Sequence, residues 1–79
     1  SWYAYPNPAN EQLNFGWKGN GATVDVKLFN TVGQIVYQHQ FSGNTVSETV
    51  SLKGMAEGIY TLQMSGENIF KSQKISVIH

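Results

Sequence analysis

The fold follows from one stretch, Gly58-Ile59-Tyr60-Thr61-Leu62-Gln63-Met64, in which apolar and polar side chains alternate. Tyr60, Leu62 and Met64 recur with a period of two and therefore share one face of an extended strand. A second apolar segment, 69–78, follows after the connection Ser65-Gly66-Glu67-Asn68, whose glycine and asparagine suit a tight hairpin. Because an isolated strand pair cannot bury its apolar face in water, the preceding segments must supply the layer against which this hairpin packs.

The preceding segments show the same alternation and are separated by turn residues. Apolar residues alternate in 13–17, 24–28, 35–41 and 46–52, and Gly19-Asn20-Gly21 carries the Asn-Gly pair typical of a hairpin. The segment 3–10 contains two prolines, which lack a backbone donor, so it can lie only at a sheet edge or just before one. About seven strands with regularly spaced turns predict an all-β antiparallel sandwich.

Alternation within each strand also predicts which side chains form the core between the two sheets. Met55 lies in the short connection 53–57, where we expect it to cap the open end of the core. The predicted core residues are Val24, Val26, Leu28, Ile35, Tyr37, Val50, Leu52, Tyr60, Leu62, Ile75 and Val77.

Length and composition bound the architecture further. A chain of 79 residues with 41% hydrophobic residues has room for one small core, so we expect residues 1–79 to form a single domain. Since the chain starts at Ser1 rather than methionine, we expect it to be a fragment of a larger protein. It has no cysteine, which excludes disulfides and thiolate chemistry.

Charge and residue types exclude several functions. Five lysines balance five acidic residues, so the basic surface that nucleic-acid binding requires is missing. No apolar run is long enough for a membrane span. His39 and His79 are the only histidines, and neither has the companion ligands that zinc requires. Asp25, Glu48 and Glu57 belong to separate segments, and no nucleophile motif is present. We therefore expect no cofactor, no metal and no enzymatic activity.

Four segments in order carry a family resemblance. They are Tyr5-Pro6-Asn7-Pro8-Ala9-Asn10 with Leu13-Asn14-Phe15, then 26–36 with Gly33 near its centre, then Gly58-Ile59-Tyr60-Thr61-Leu62, and finally Lys71-Ser72-Gln73-Lys74-Ile75-Ser76-Val77. Together they resemble the C-terminal sorting domain of the type IX (Por) secretion system of Bacteroidetes. The chain departs from the family at Gln34 and at His79, where many members carry a basic residue.

The resemblance implies an immunoglobulin-like sandwich that acts as an address on a secreted cargo. It further implies passage through the periplasm and recognition by secretion-system proteins, namely the translocon, a shuttle and a sortase-like peptidase. The peptidase would remove the domain just upstream of its first strand, and the cargo would be released or anchored at the cell surface.

We expect the terminal hairpin, 58–79, to carry the export signal, so that deletion of 74–79 traps a fused reporter in the periplasm. The candidate recognition residues are Gly58, Tyr60, Lys71, Lys74, Ile75, Val77 and His79, with Pro6, Asn7, Pro8 and Gly33 as family motif positions. Period two puts Lys71 on the core side of its strand unless a bulge intervenes.

One alternative function and one prediction of self-association remain. An immunoglobulin-like accessory module that binds glycan or a protein partner would need an exposed row of aromatic rings, and Trp2 and Tyr3 are the first candidates for such contact. The first and last strands are candidate sheet edges, from which we expect weak self-association.

Overall fold

A computed structural model describes residues 2–67 and 69–79, which form seven strands in two antiparallel sheets and contain no helix. The strands are β1 (Trp2–Tyr5), β2 (Gln12–Lys18), β3 (Val24–Phe29), β4 (Ile35–Phe41), β5 (Thr45–Ser51), β6 (Gly58–Gly66) and β7 (Phe70–Val77). One sheet has the order β1-β2-β5 and the other β4-β3-β6-β7. This connectivity is that of an immunoglobulin-like sandwich whose fourth strand joins the second sheet, which confirms the predicted fold class.

The core lies between the two sheets and is formed mainly by every second residue of β2, β3 and β6, with further side chains from β5, β7 and the connections. Leu62 faces Leu28 across the β3–β6 pair, and both are almost fully buried. Leu13, Phe15 and Trp17 supply the facing layer from β2, and the half-buried Met55 packs against the core as expected. The remaining buried side chains are Ala9, Val24, Val26, Val46, Val50, Leu52, Tyr60, Met64, Ile75 and Val77.

The prediction that Ile35 belongs to the core is wrong. The β3–β4 register shifts between Leu28 and Phe29, so that Tyr37 pairs with Leu28 but Ile35 pairs with Phe29. Val36 is thus an extra residue on β4, and the bulge reverses the alternation before it. Ile35 consequently shares the outer face with Phe29 and is 49% exposed. Tyr37 keeps the core side but is only half-buried, because β4 is an edge strand.

The Asn-Gly signal at 19–21 does not form a hairpin. β2 and β3 belong to different sheets, so this loop crosses from one layer to the other. Its backbone bonds the β4–β5 loop instead, with Gly19 N donating to Asn44 O at 2.7 Å and Gly21 N donating to Gly43 O at 3.1 Å. The two sheet-crossing loops therefore support each other at this end of the sandwich.

The proline segment fastens β1 to the opposite sheet. β1 is an edge strand, as the two prolines that follow it predict, and the chain then runs along the free edge of β7. Ala9 forms an isolated parallel bridge with Val77, with Ala9 N donating to Ser76 O at 2.7 Å and Ile78 N to Ala9 O at 2.8 Å. The segment thus joins the two layers along one side of the sandwich.

Candidate recognition surface

The terminal hairpin divides into a structural side and an accessible side. Tyr60, Ile75 and Val77 are buried, and the Tyr60 hydroxyl donates to Ala56 O at 2.6 Å. The side chains of these three candidates belong to the core of the folded domain, where they anchor β6 and β7. Gly58 is exposed at the start of β6, with a φ of +153°. The connection between the strands includes Asn68, which lies outside the described residues, while Gly66 N donates to Ile69 O at 2.9 Å.

Lys71 and Lys74 lie on opposite faces of β7. The β6–β7 register runs without interruption from Gly58↔Val77 to Ser65↔Phe70, so no bulge brings the two lysines together. Lys71 pairs with Met64 on the core side and is exposed, since its position lies at the sheet margin. Lys74 pairs with Thr61 and projects from the outer face. A receptor that contacts one face of the sheet can reach only one of them.

His79 is held against three separate segments at the end of the sandwich. Its backbone N donates to Glu57 Oε2 at 2.9 Å, and its Nε2 lies 2.7 Å from Met55 O. Its Nδ1 lies 3.2 Å from Asn10 Oδ1. Because a carbonyl only accepts, Nε2 must donate to Met55. The residue therefore ties the end of β7 to the connections that flank β2 and β6.

The family motif positions are structural in this chain. The Asn7 side chain reaches β7, where Nδ2 donates to Lys74 O at 3.1 Å and Oδ1 accepts from Ser76 N at 3.0 Å. Pro6 and Pro8 flank it on the exposed surface. Gly33 has a φ of +83° and donates from its N to Asn30 O at 3.1 Å, which closes the β3–β4 turn.

An apolar patch occupies one end of the outer face of the four-stranded sheet. The registers place Ile35, Phe29, Thr61 and Lys74 in one row across β4, β3, β6 and β7. Ile59, on the same face of β6, is 44% exposed, and Val36 is exposed beside Ile35. We call Phe29, Ile35, Val36 and Ile59 the outer patch. The next row, Gln38, Lys27, Gln63 and Ser72, is polar throughout and separates the outer patch from the exposed Phe70 at the other end of this face.

The β3–β4 turn presents a further apolar side chain beside the end of this sheet. Val32 is 76% exposed at the turn. The Asn30 side chain fixes the turn because its Oδ1 accepts from Val32 N at 3.1 Å and from Gln34 N at 2.9 Å. Its Nδ2 donates to Gln34 Oε1 at 2.8 Å. Val32 stands between Asn30 and Gly33 in a turn sequence, where side chains are normally exposed. An apolar residue at such a position is the sequence signal that could have identified this surface.

Charged and titratable groups of the described residues do not converge on a reactive centre. No group of three or more His, Asp or Glu side chains is placed to hold a metal ion in the described ranges. Asp25 pairs with Lys27 at 3.5 Å. His39 packs against the ring of Phe41 at 4.6 Å between centroids. Partial burial, and secondarily the charge of Glu48, raises the pKa of Tyr37 above its ordinary 10.0.

The aromatic side chains are mostly part of the core. Trp17 and Tyr60 are buried, and Trp2 is half-buried against the core. Tyr3 and Tyr5 are exposed on the outer face of the three-stranded sheet with their centroids 5.5 Å apart. The Tyr3 hydroxyl hydrogen-bonds Ser47 Oγ at 3.1 Å. The exposed aromatic row that glycan binding would need is therefore limited, on the outer face of this sheet, to two rings.

Comparison with known proteins places this sandwich in a family. Residues 3–78 match the family described as the secretion system C-terminal sorting domain, which covers all seven strands apart from the first residue of β1. Neither the curated proteins nor the solved structures gave a match. No helix in the described ranges is long and apolar enough to cross a membrane. Because the match spans nearly the whole chain, the protein belongs to the C-terminal sorting domains of type IX secretion.

Proposed function

We propose that this domain is a non-catalytic export signal that directs a cargo protein through the type IX outer-membrane translocon. The observation that carries the proposal is the family match over residues 3–78. In this account the signal is a folded surface rather than a linear peptide. Burial of Tyr60, Ile75 and Val77 supports a folded signal, because a receptor could contact these side chains only by unfolding the core.

The outer patch is the surface that we assign to the secretion machinery. It is apolar and largely exposed, and it lies at one end of a sheet face whose next row is polar. Burial of such a patch against a partner contributes roughly 25 cal/mol per Å² of apolar area. The rigid turn that presents Val32 extends the contact beyond the sheet without a large loss of conformational entropy on binding.

Lys74 gives this surface a cation at its edge. It stands in the row of Ile35, Phe29 and Thr61, whereas Lys71 stands on the other side of β7. The terminal hairpin thus contributes Ile59, Thr61 and Lys74 to the surface, and its buried residues hold these three in place. A positively charged rim steers association with an acidic partner and sets orientation more than it raises affinity.

The proposal also includes the steps before and after translocation, which we take from the family of sorting domains. The cargo crosses the periplasm with this domain attached. A sortase-like peptidase then cleaves upstream of β1, and the cargo is released or anchored at the cell surface. The exposed position of β1 at a sheet edge is compatible with access to a site upstream of it. Mass spectrometry of the exported cargo tests this step, because the proposal requires a new C-terminus upstream of Trp2.

Export of a reporter tests the recognition surface. A periplasm-directed reporter fused to residues 1–79 is expressed in a strain with the type IX system. The double variant Ile35→Ser with Val36→Ser should lower the surface-exposed fraction several-fold. The matched control, Gln38→Ser with Gln40→Ser, changes the same strand beyond the bulge and on the same outer face, and should leave export unchanged. Thermal unfolding of each purified domain establishes that both variants fold.

Equal export by both double variants would show that the outer patch is not the recognition surface. A separate pair addresses the lysines: Lys74→Ala should reduce export, and Lys71→Ala should not. The accessory-module alternative predicts glycan binding through Tyr3 and Tyr5, which Tyr5→Ala would abolish without any effect on export.

A further inference from the structure

β7 is an edge strand of the four-stranded sheet, and alternate residues along it direct their backbone groups away from β6. In an antiparallel strand, alternate residues direct both N–H and C=O to the same side. The bonds to Lys74 O, Ser76 N and Ser76 O come from outside the sheet, so the even-numbered residues of β7 face outward. Phe70 and Ser72 therefore also direct their N–H and C=O groups away from β6.

The second half of this edge is already covered by the chain itself. The Asn7 side-chain amide donates to Lys74 O and accepts from Ser76 N, as a backbone peptide group of a neighbouring strand would. The main chain of Ala9 adds two further bonds, since its N donates to Ser76 O and its O accepts from Ile78 N. We call residues 7–9 the edge clip, since they occupy the positions that an added strand would take.

The first half of the edge is open. No hydrogen bond from another segment of the described chain reaches the outward groups of Phe70 or Ser72. Phe70 is 64% exposed. The open half therefore offers both unpaired backbone groups and an apolar side chain, which are the two components of recognition by strand addition.

We propose that the β7 edge is a pairing site for β7 of a second copy of this chain, and that the edge clip limits its use. Antiparallel pairing centred on Ser72 puts Phe70 opposite Lys74 and Lys71 opposite Gln73, so no lysine faces a lysine. With the clip in place, Lys74 O and Ser76 are occupied and the ladder is short, so the dimer is weak. Release of Asn7 frees Lys74 O and Ser76 N, and Lys74 O can then accept from Phe70 N of the second copy, which lengthens the ladder.

The test removes the clip without touching β7. Asn7→Ala should dimerise at a concentration on the order of tenfold below wild type, because the freed backbone groups gain partners. It should also lose amide-exchange protection at Ser76 when monomeric. The matched control Asn10→Ala lies in the same segment but contacts His79 rather than the β7 edge, and should associate as wild type does. Sedimentation over a range of concentrations measures the association.

A second variant blocks the site itself. Ser72→Pro removes an outward N–H, leaves the β6 ladder intact, and is tolerated on an edge strand. On the Asn7→Ala background it should restore the monomer. An Asn7→Ala chain that stays monomeric at every concentration, or a dimer that Ser72→Pro leaves unchanged, would overturn the proposal. If Asn7→Ala does not fold, wild type is compared with Ser72→Pro near millimolar concentration: the proline should abolish its weak dimer, and a monomeric wild type contradicts the proposal.

Discussion

At the scale of single residues, alternation predicts burial wherever the strand is regular. Leu62 is 1% exposed and packs opposite Leu28, as its place in the period-two pattern requires. Leu62→Ala should lower the free energy of unfolding by about 2–5 kcal/mol through lost apolar burial and a cavity. Urea denaturation measures this loss. Ile59→Ala, on the exposed face of the same strand, is the control, and an equal loss in both variants would contradict the assigned faces.

Gly16 is a residue whose role the sequence did not disclose. Its missing side chain makes room for Tyr3, since a Cβ there would lie 2.5 Å from the Tyr3 hydroxyl oxygen and would also collide with Val46 O. Gly16→Ala should therefore displace the tyrosine ring, break its bond to Ser47 and cost about 1–3 kcal/mol. Denaturation of this variant in a Tyr3→Ala background provides the check. Gly16→Ala should stay destabilising in that background, because the collision of its Cβ with Val46 O remains.

Tyr37 gives a pH dependence with a definite sign. Burial and Glu48 raise its pKa in the folded state, so the unfolded chain ionises first as the pH rises. The neutral phenol therefore contributes fully to the free energy of unfolding below pH 10.0. This contribution declines above pH 10.0 until the folded state also ionises. Tyr37→Phe should lose less stability between pH 8 and pH 11 than wild type, as measured by urea midpoints. Equal losses in wild type and Tyr37→Phe over this range would contradict the prediction.

At the scale of elements, the sequence predicted the strands but not which strands pair with each other. Period-two alternation located β2 to β7 because each directs alternate side chains towards the core. The alternation could not predict the bulge on β4, because one extra residue in a strand has no distinctive sequence pattern. That residue nevertheless turns Ile35 outward. Nor could an Asn-Gly pair reveal that β2 and β3 lie in different sheets, because turn chemistry is local and sheet membership is set by packing.

The terminal hairpin needs a different test from truncation. Deletion of 74–79 should trap a fused reporter in the periplasm, but it also removes Ile75 and Val77 from the core. We expect the truncated domain to unfold, which circular dichroism would show as loss of the β spectrum. A truncated domain that keeps its unfolding transition would contradict this account of β7 as a core strand.

At the scale of the whole molecule, the family could be identified from sequence, whereas the exposed surface that we propose for recognition could not. Ordered short segments over most of the chain carried the resemblance, and the match over residues 3–78 confirms it. The candidate residues were chosen for their place in those segments, which mixes core residues such as Tyr60 with exposed ones such as Lys74. Only the registers separate the two groups, because they define which face each side chain occupies.

The most direct measurement is the surface-exposed fraction of a periplasm-directed reporter fused to residues 1–79, in paired strains with and without the type IX outer-membrane translocon. Protease accessibility on intact cells gives that fraction. We expect a surface-exposed reporter in the first strain and a periplasmic one in the second. A reporter that stays in the periplasm of both strains, although its sorting domain is folded, would contradict the claim that this domain is an export signal.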